Sequence, residues 1–185
     1  VARLVNTNGT LCIAGKNGTA CLWIGQLAPD TLARYVDARL RVRGVLMLSM
    51  QDEPLLLVPS QRFIDVVEAP PQDPFAEPRV PIGTLQSANA DSLLHRIHVT
   101  GVVTYQDEHS LFIQDASGGI RVQVANPSAI NAKVSETVNV VGFPSDFGST
   151  VTLTEPLVRP GELAETITPS NLDLDDSLFS RQKGV

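Results

Sequence analysis

The chain has 185 residues, of which 43% are hydrophobic and 18% charged. That balance buries a core and excludes wholesale disorder, and no apolar run reaches the roughly 18–20 residues of a membrane-crossing helix. With 14 Lys and Arg against 20 Asp and Glu, the net charge is −6, which argues against a nucleic-acid partner, since that usually requires a basic face. The chain begins Val1-Ala2-Arg3 without a charged n-region or an apolar h-region, so no signal peptide is expected in it. A mature or excised piece reads the same way, and the compartment stays open.

Short β segments punctuated by glycine and proline follow in order. Ala2–Val5 reads as the end of a first strand. Thr10–Ala14 and Thr19–Ile24 flank Gly15-Lys-Asn-Gly18, a hairpin turn signal. Pro29–Val36 reads as a short helix with Asp30 or Thr31 near its start. Arg39–Met47 alternates strongly and carries Gly44 in mid-strand; Pro54–Val58 and Phe63–Val67 supply the last strand or two. Ala69–Pro78 holds prolines at 70, 71, 74 and 78, which forbid helix and central strand and mark a stiff linker.

Beyond the linker, Ile97–Tyr105 alternates so that Ile97, Val99, Gly101, Val103 and Tyr105 share the inward face. Ser110–Gln114 is a second strand, and Asp115-Ala-Ser-Gly-Gly119 is a turn whose two glycines can take φ > 0. Ile120, Val122 and Val124 form the inward row of a third strand, with Arg121 and Gln123 outward. Asn126–Lys133 breaks the β pattern. Thr137–Phe143 and Thr150–Thr154 are the fourth and fifth strands. Gly101 and Gly142 stand in mid-strand, as where a small barrel bends sharply. Three meandering strands, an interruption and two more strands are the order of an OB-fold. The first half repeats that order with its front missing. The expected fold is therefore all-β: two tandem OB-like five-stranded barrels with short helices, the first incomplete at its N-terminus. The expected boundaries are 1–68, a linker at 69–80, 81–163, and 164–185 as a linker and the start of a further repeat. The last assignment rests on an echo of Ala90–Arg96 in Asp175–Arg181, which suggests an array of such units and a chain cut out of phase with it.

Two cysteines, Cys12 and Cys21, are too few for a disulfide scaffold and form no metal-binding spacing. The favoured expectation is two small buried side chains. A cross-strand bridge stays open, because it depends on the hairpin register.

Three stretches, Val99–Tyr105, Leu111–Val122 and Val140–Pro144, are similar to OB-like repeats in the extracytoplasmic sensory regions of bacterial sensor histidine kinases and related receptors. Asp73-Pro-Phe-Ala76 with Pro81–Leu85 looks like the start of that repeat. Val42–Val45 and Leu55–Ser60 resemble a more divergent companion repeat. The resemblance implies an extracytoplasmic, periplasmic location and a membrane-anchored parent protein. It carries over no catalytic or ligand residue, and the chain holds no kinase motif.

The residues themselves show little chemistry. His95 and His98 straddle a junction without further ligands, and with His109 are expected to be exposed. Asp115-Ala-Ser117 reads as hairpin chemistry, not as part of a catalytic triad. Asp107-Glu108 and Asp173, Asp175 and Asp176 read as solvated acids. Gly15–Gly18 is not a phosphate loop. Asn8 and Asn17 match the glycosylation sequon but read as turn residues. Arg39, Arg41 and Arg43 form a basic stripe on one strand face, where cross-strand ion pairs are expected. These arginines, with Phe112 and Arg121, make the expected binding surface. Gly44, Gly101, Gly142, Gly118 and Gly119 are the expected structural positions. No catalytic residue, metal or cofactor is expected. The functional expectation is a non-catalytic extracytoplasmic sensory region that binds a small ligand or protein partner. The alternatives are an OB-fold nucleic-acid-binding protein, or a secreted or cell-surface adhesion module with Trp23 as first contact.

Overall fold

The computed structural model describes residues 1–4, 11–15, 18–25, 31–32, 34–49, 52–87, 94–124, 132–147, 150–162 and 167. It is an all-β chain built on two barrels, the second closed and the first open.

In the second barrel, β8 (Ile97–Gln106), β9 (Ser110–Asp115) and β10 (Gly118–Gln123) form a meander, and β11 (Thr137–Phe147) and β12 (Thr150–Pro160) form a long hairpin. The hoop closes in the order β10-β12-β11-β8-β9. β10 runs parallel to β12, and every other neighbouring pair is antiparallel. This is OB-fold order. Alternate side chains fill the interior: Val99, Val103, Leu111, Ile113, Ile120, Val122, Val138, Val140 and Leu153 are all buried. A 3-10 turn, Ile82–Ser87, plugs one end with Ile82 and Leu85. Gly101 lets β8 press against β9, since a Cβ there would lie 2.9 Å from the Gln114 carbonyl oxygen.

β11 and β12 run further than expected. Pro156 falls inside β12 where the sequence suggests the strand has ended. The register slips between Val141 and Phe143, leaving Glu155 and Pro156 opposite the slip. Glu155 takes φ 49° there. The bulge absorbs the missing proline N–H, and the ladder resumes beyond it.

The first barrel uses the same order with breaks. β1 (Ala2–Leu4), β2 (Leu11–Gly15), β3 (Gly18–Ile24), β6 (Pro54–Val58) and β5 (Val45–Leu48) form one sheet, ordered β1-β2-β3-β6-β5, with β3 and β6 parallel. β4 (Arg39–Val42) and β7 (Ile64–Glu68) form a separate pair. The single strand expected over Arg39–Met47 is split at Gly44, where a Cβ would sit 2.3 Å from the Leu57 carbonyl oxygen. The chain turns there from its partner β7 to its partner β6. A small core of Leu11, Leu22, Tyr35, Val58 and Ile64 fills this barrel.

The proline-rich stretch is tied to the second barrel. Val80 donates its N–H to the His98 carbonyl. The His98 ring packs edge-on to Phe75, with Nδ1 2.9 Å from the Glu77 carbonyl oxygen. His98 is therefore buried, not exposed as the sequence suggests. Of the expected helix over Pro29–Val36, only Thr31 and Leu32 are described as helical. Most of Asn126–Lys133, and the echo at Asp175–Arg181, lie outside the described residues.

Candidate binding surfaces

With Leu111, Ile113, Ile120 and Val122 turned inward, alternation turns Phe112 and Arg121 outward, and they face each other directly across β9 and β10. Tyr105 joins them, its ring centroid 5.7 Å from that of Phe112. Strict alternation along β8 would have put Tyr105 inward. The register slips between Val103 and Tyr105, so the extra residue, Thr104, returns Tyr105 to the outside at 57% exposure. Arg121 Nε donates to the buried Ser110 Oγ at 2.9 Å, which fixes the guanidinium over the strands. Among the described residues it has no carboxylate partner. Ile82, Leu85, Thr104, Phe112, Arg121 and Val151 line a shallow groove of about 380 Å³ here. Two aromatic faces and one held cation suit a flat ligand with a negative or polar edge.

The first barrel bears the other expected surface. Arg39 and Arg41 on β4, and Arg43 just after it, are exposed, while Leu40 and Val42 pack against the small core. Arg43 Nη2 meets Asp65 Oδ2 at 3.1 Å. Arg39 and Arg41 make no ion pair among the described residues, so the expected cross-strand pairing reduces to one bridge. Trp23 stands 58% exposed on β3. Its register partner on β6 is Leu57, whose partner on β5 is Val45.

On the same sheet Cys12 and Cys21 are direct register partners and form a disulfide. This corrects the favoured expectation of two separate thiols. The sequence shows that both cysteines lie on one hairpin, but only the register sets them opposite each other.

The second-barrel hairpin is turned differently from the expectation. Among the described glycines only Gly18 has positive φ, at 126°, so Gly118 and Gly119 do not turn the chain by that means. The Asp115 carboxylate does. It accepts the N–H groups of Ser117 and Gly118, the Ser117 hydroxyl, and the N–H of Ile82. Ser117 Oγ in turn accepts the Gly83 N–H at 2.8 Å. Burial alone would raise the Asp115 pKa, but the donors from Ile82, Ser117 and Gly118 outweigh it and hold the group below its ordinary value. Ser117 is thus a structural link between hairpin and plug: its hydroxyl is held by the Asp115 carboxylate while its oxygen accepts the Gly83 N–H.

Between the barrels lies a second polar cluster. Asp37, buried on the first barrel and in the left-handed region at φ 65°, accepts from the Arg96 N–H and meets His95 Nδ1 at 3.1 Å. The Arg96 guanidinium sits 3.9 Å from Glu155 and 4.9 Å over the Phe143 ring. Burial lowers the Arg96 pKa, against the opposing fields of Glu155 and Asp37. Among the described residues no group of three or more His, Cys, Asp and Glu side chains could hold a metal ion. Nor is any helix among them long and apolar enough to cross a membrane.

Strand order and the parallel pairing of third with fifth strand define the class: tandem OB-type barrels. No protein-family model and no curated protein matches the chain. Solved structures similar to it include two at low identity. One is the hypothetical protein ygiW from E. coli, at TM-score 0.38 and 17% identity, covering 46% of this chain and 92% of that one. The other is a murine DNA-binding protein bound with double-stranded DNA, at TM-score 0.38 and 12% identity, covering 86% of this chain and 93% of that one. At these values neither likeness bears on function.

Proposed function

We propose that the chain is a non-catalytic, extracytoplasmic binding region of a bacterial signalling receptor, most simply a sensor histidine kinase. Its ligand contacts the Tyr105, Phe112 and Arg121 face. The observation that carries this reading is the Cys12–Cys21 bridge, because disulfides persist in oxidising compartments and are rare in the cytosol. The tandem OB barrels and the resemblance of Leu111–Val122 to receptor repeats support it. Two measurements test it. The open reading frame on both sides should encode a secretion signal upstream and a membrane helix with an output domain downstream; a frame with neither overturns the reading. Thiol labelling of the denatured protein from its native host should find no free cysteine, and two free thiols would remove the carrying observation.

One observation favours a second reading. Tyr105, Phe112 and Arg121 stand side by side on the first, second and third strands, and aromatics with arginine on that face are what OB-folds use to stack single-stranded bases. A fluorescent single-stranded oligonucleotide tests it. Binding that weakens steeply with salt supports nucleic-acid recognition, and its absence at low salt removes it.

A further inference from the structure

Two charged groups are left unmatched where the barrels meet. A cleft of about 360 Å³ opens there, walled by Val36, Pro70, Pro71 and Pro74, with Asp37 and Arg96 in its lining. The Arg96 side chain is only 12% exposed. Its Nε is buried without a partner, and its one ion-pair partner among the described residues, Glu155 Oε2, stands 3.9 Å from Nη2, beyond hydrogen-bond reach. A guanidinium carries five N–H donors, and buried polar groups are ordinarily hydrogen-bonded. Asp37 is 5% exposed. Its Oδ1 takes both of its contacts, with the Arg96 backbone N–H at 3.3 Å and His95 Nδ1 at 3.1 Å. Its Oδ2 has no partner among the described residues.

The rest of the lining narrows what fits. Prolines lack an N–H, so those at 70, 71 and 74 offer an anion no backbone donor, and with Val36 they form an apolar wall. A simple carboxylate would find one cation, but also Asp37 and Glu155, whose fields already reach Arg96. A simple amine would find Asp37, but lie beside Arg96. A molecule with both charges one amino-acid backbone apart meets both groups and brings no net charge into the cleft. Its side chain then lies against the prolines. The volume falls within the roughly 300–1,000 Å³ of small-molecule sites, which favour domain junctions.

We propose that the cleft between the barrels binds a free α-amino acid with an apolar side chain, its carboxylate on the Arg96 guanidinium and its ammonium on Asp37 Oδ2. Bound so, it touches both barrels and supplies the acceptor and the donor that the fold leaves unmatched. The site is separate from the Tyr105, Phe112 and Arg121 face. It stands on the cleft's own geometry and holds whether or not the chain belongs to a receptor.

The probe is L-leucine, titrated calorimetrically into the whole chain beside two analogues of similar shape. Leucinamide keeps the ammonium and loses the carboxylate; 4-methylpentanoate keeps the carboxylate and loses the ammonium. Each should bind at least about tenfold more weakly than leucine. Asp37→Asn keeps the side-chain shape and tolerates the φ of 65°. It should erase the preference for leucine over 4-methylpentanoate, and Arg96→Gln the preference over leucinamide. Amide NMR signals of Val36, Asp37, Gln72 and Arg96 should shift on binding, and those of Phe112 and Arg121 should not. The analogue series and the NMR shifts use the unaltered chain and decide the outcome if a variant unfolds. Three results overturn the proposal: no saturable binding of leucine, valine or phenylalanine up to about 10 mM, equal binding of leucine and either analogue, or shifts centred on another surface.

Discussion

The two barrels share one strand order and differ in closure. In the second, the fourth strand is flanked on both edges over Thr137–Gly142, and the inward side chains form one buried core. In the first, the fourth strand is split into β4 and β5, and Val45, Leu46, Met47 and Leu48 of β5 are all exposed, as are Trp23 on β3 and Val66 and Val67 on β7. The closed barrel keeps its shape by packing. The open one has a smaller core and adds a covalent tie between its second and third strands.

The sharpest test of this contrast is Gly101→Val. A closed hoop has no free edge along which β8 can slide away from the Gln114 carbonyl. The substitution should destabilise the second barrel by about 3 kcal/mol, read as a fall in its melting transition with the first barrel's unaffected. An unchanged transition would show that the hoop yields. Reducing Cys12–Cys21 should act on the other side of the comparison. Releasing so short a loop costs about 2–3 kcal/mol on chain-entropy grounds. The lower transition should drop while the closed barrel keeps its own, and a shift of both would show that the two melt as one unit.

Asp115→Ala removes the acceptor that joins hairpin to plug and should cost about 2 kcal/mol. Because the folded pKa lies below the ordinary 3.8, this stabilisation is present above that value and is lost as pH falls through the folded pKa. Acid titration of the melting temperature should therefore be steeper in the parent than in Asp115→Asn. The smallest effect belongs to Arg43→Gln. Its bridge to Asp65 is exposed, so the change should be under about 0.5 kcal/mol and should vanish in high salt.

Much of the fold was legible because it is local. Alternation in Leu111–Gln114 and Ile120–Val124 marks strands with one buried row, and mid-strand Gly44, Gly101 and Gly142 mark close approaches. What was not legible depends on register. One extra residue at Thr104 turns Tyr105 from core to surface and creates the aromatic pair with Phe112; only the polar loop that follows hinted at it. Cys12 meets Cys21 because the hairpin pairs them directly, and another turn register would have kept them apart. His98 is buried by Phe75, whose position depends on how the proline stretch folds back. Of the expected surface, Phe112 and Arg121 face each other, while Arg39, Arg41 and Arg43 lie together on a different barrel.

The cluster at Arg96 has a mechanical consequence. Its guanidinium has lost much of its hydration and lies near one carboxylate from each barrel, Asp37 and Glu155, with Phe143 beneath it. Twisting one barrel against the other pulls at least one carboxylate away and leaves a poorly hydrated cation less well compensated, a cost that rises steeply with angle. Separating the barrels at this seam would therefore leave Arg96 less well compensated than it is in the folded chain.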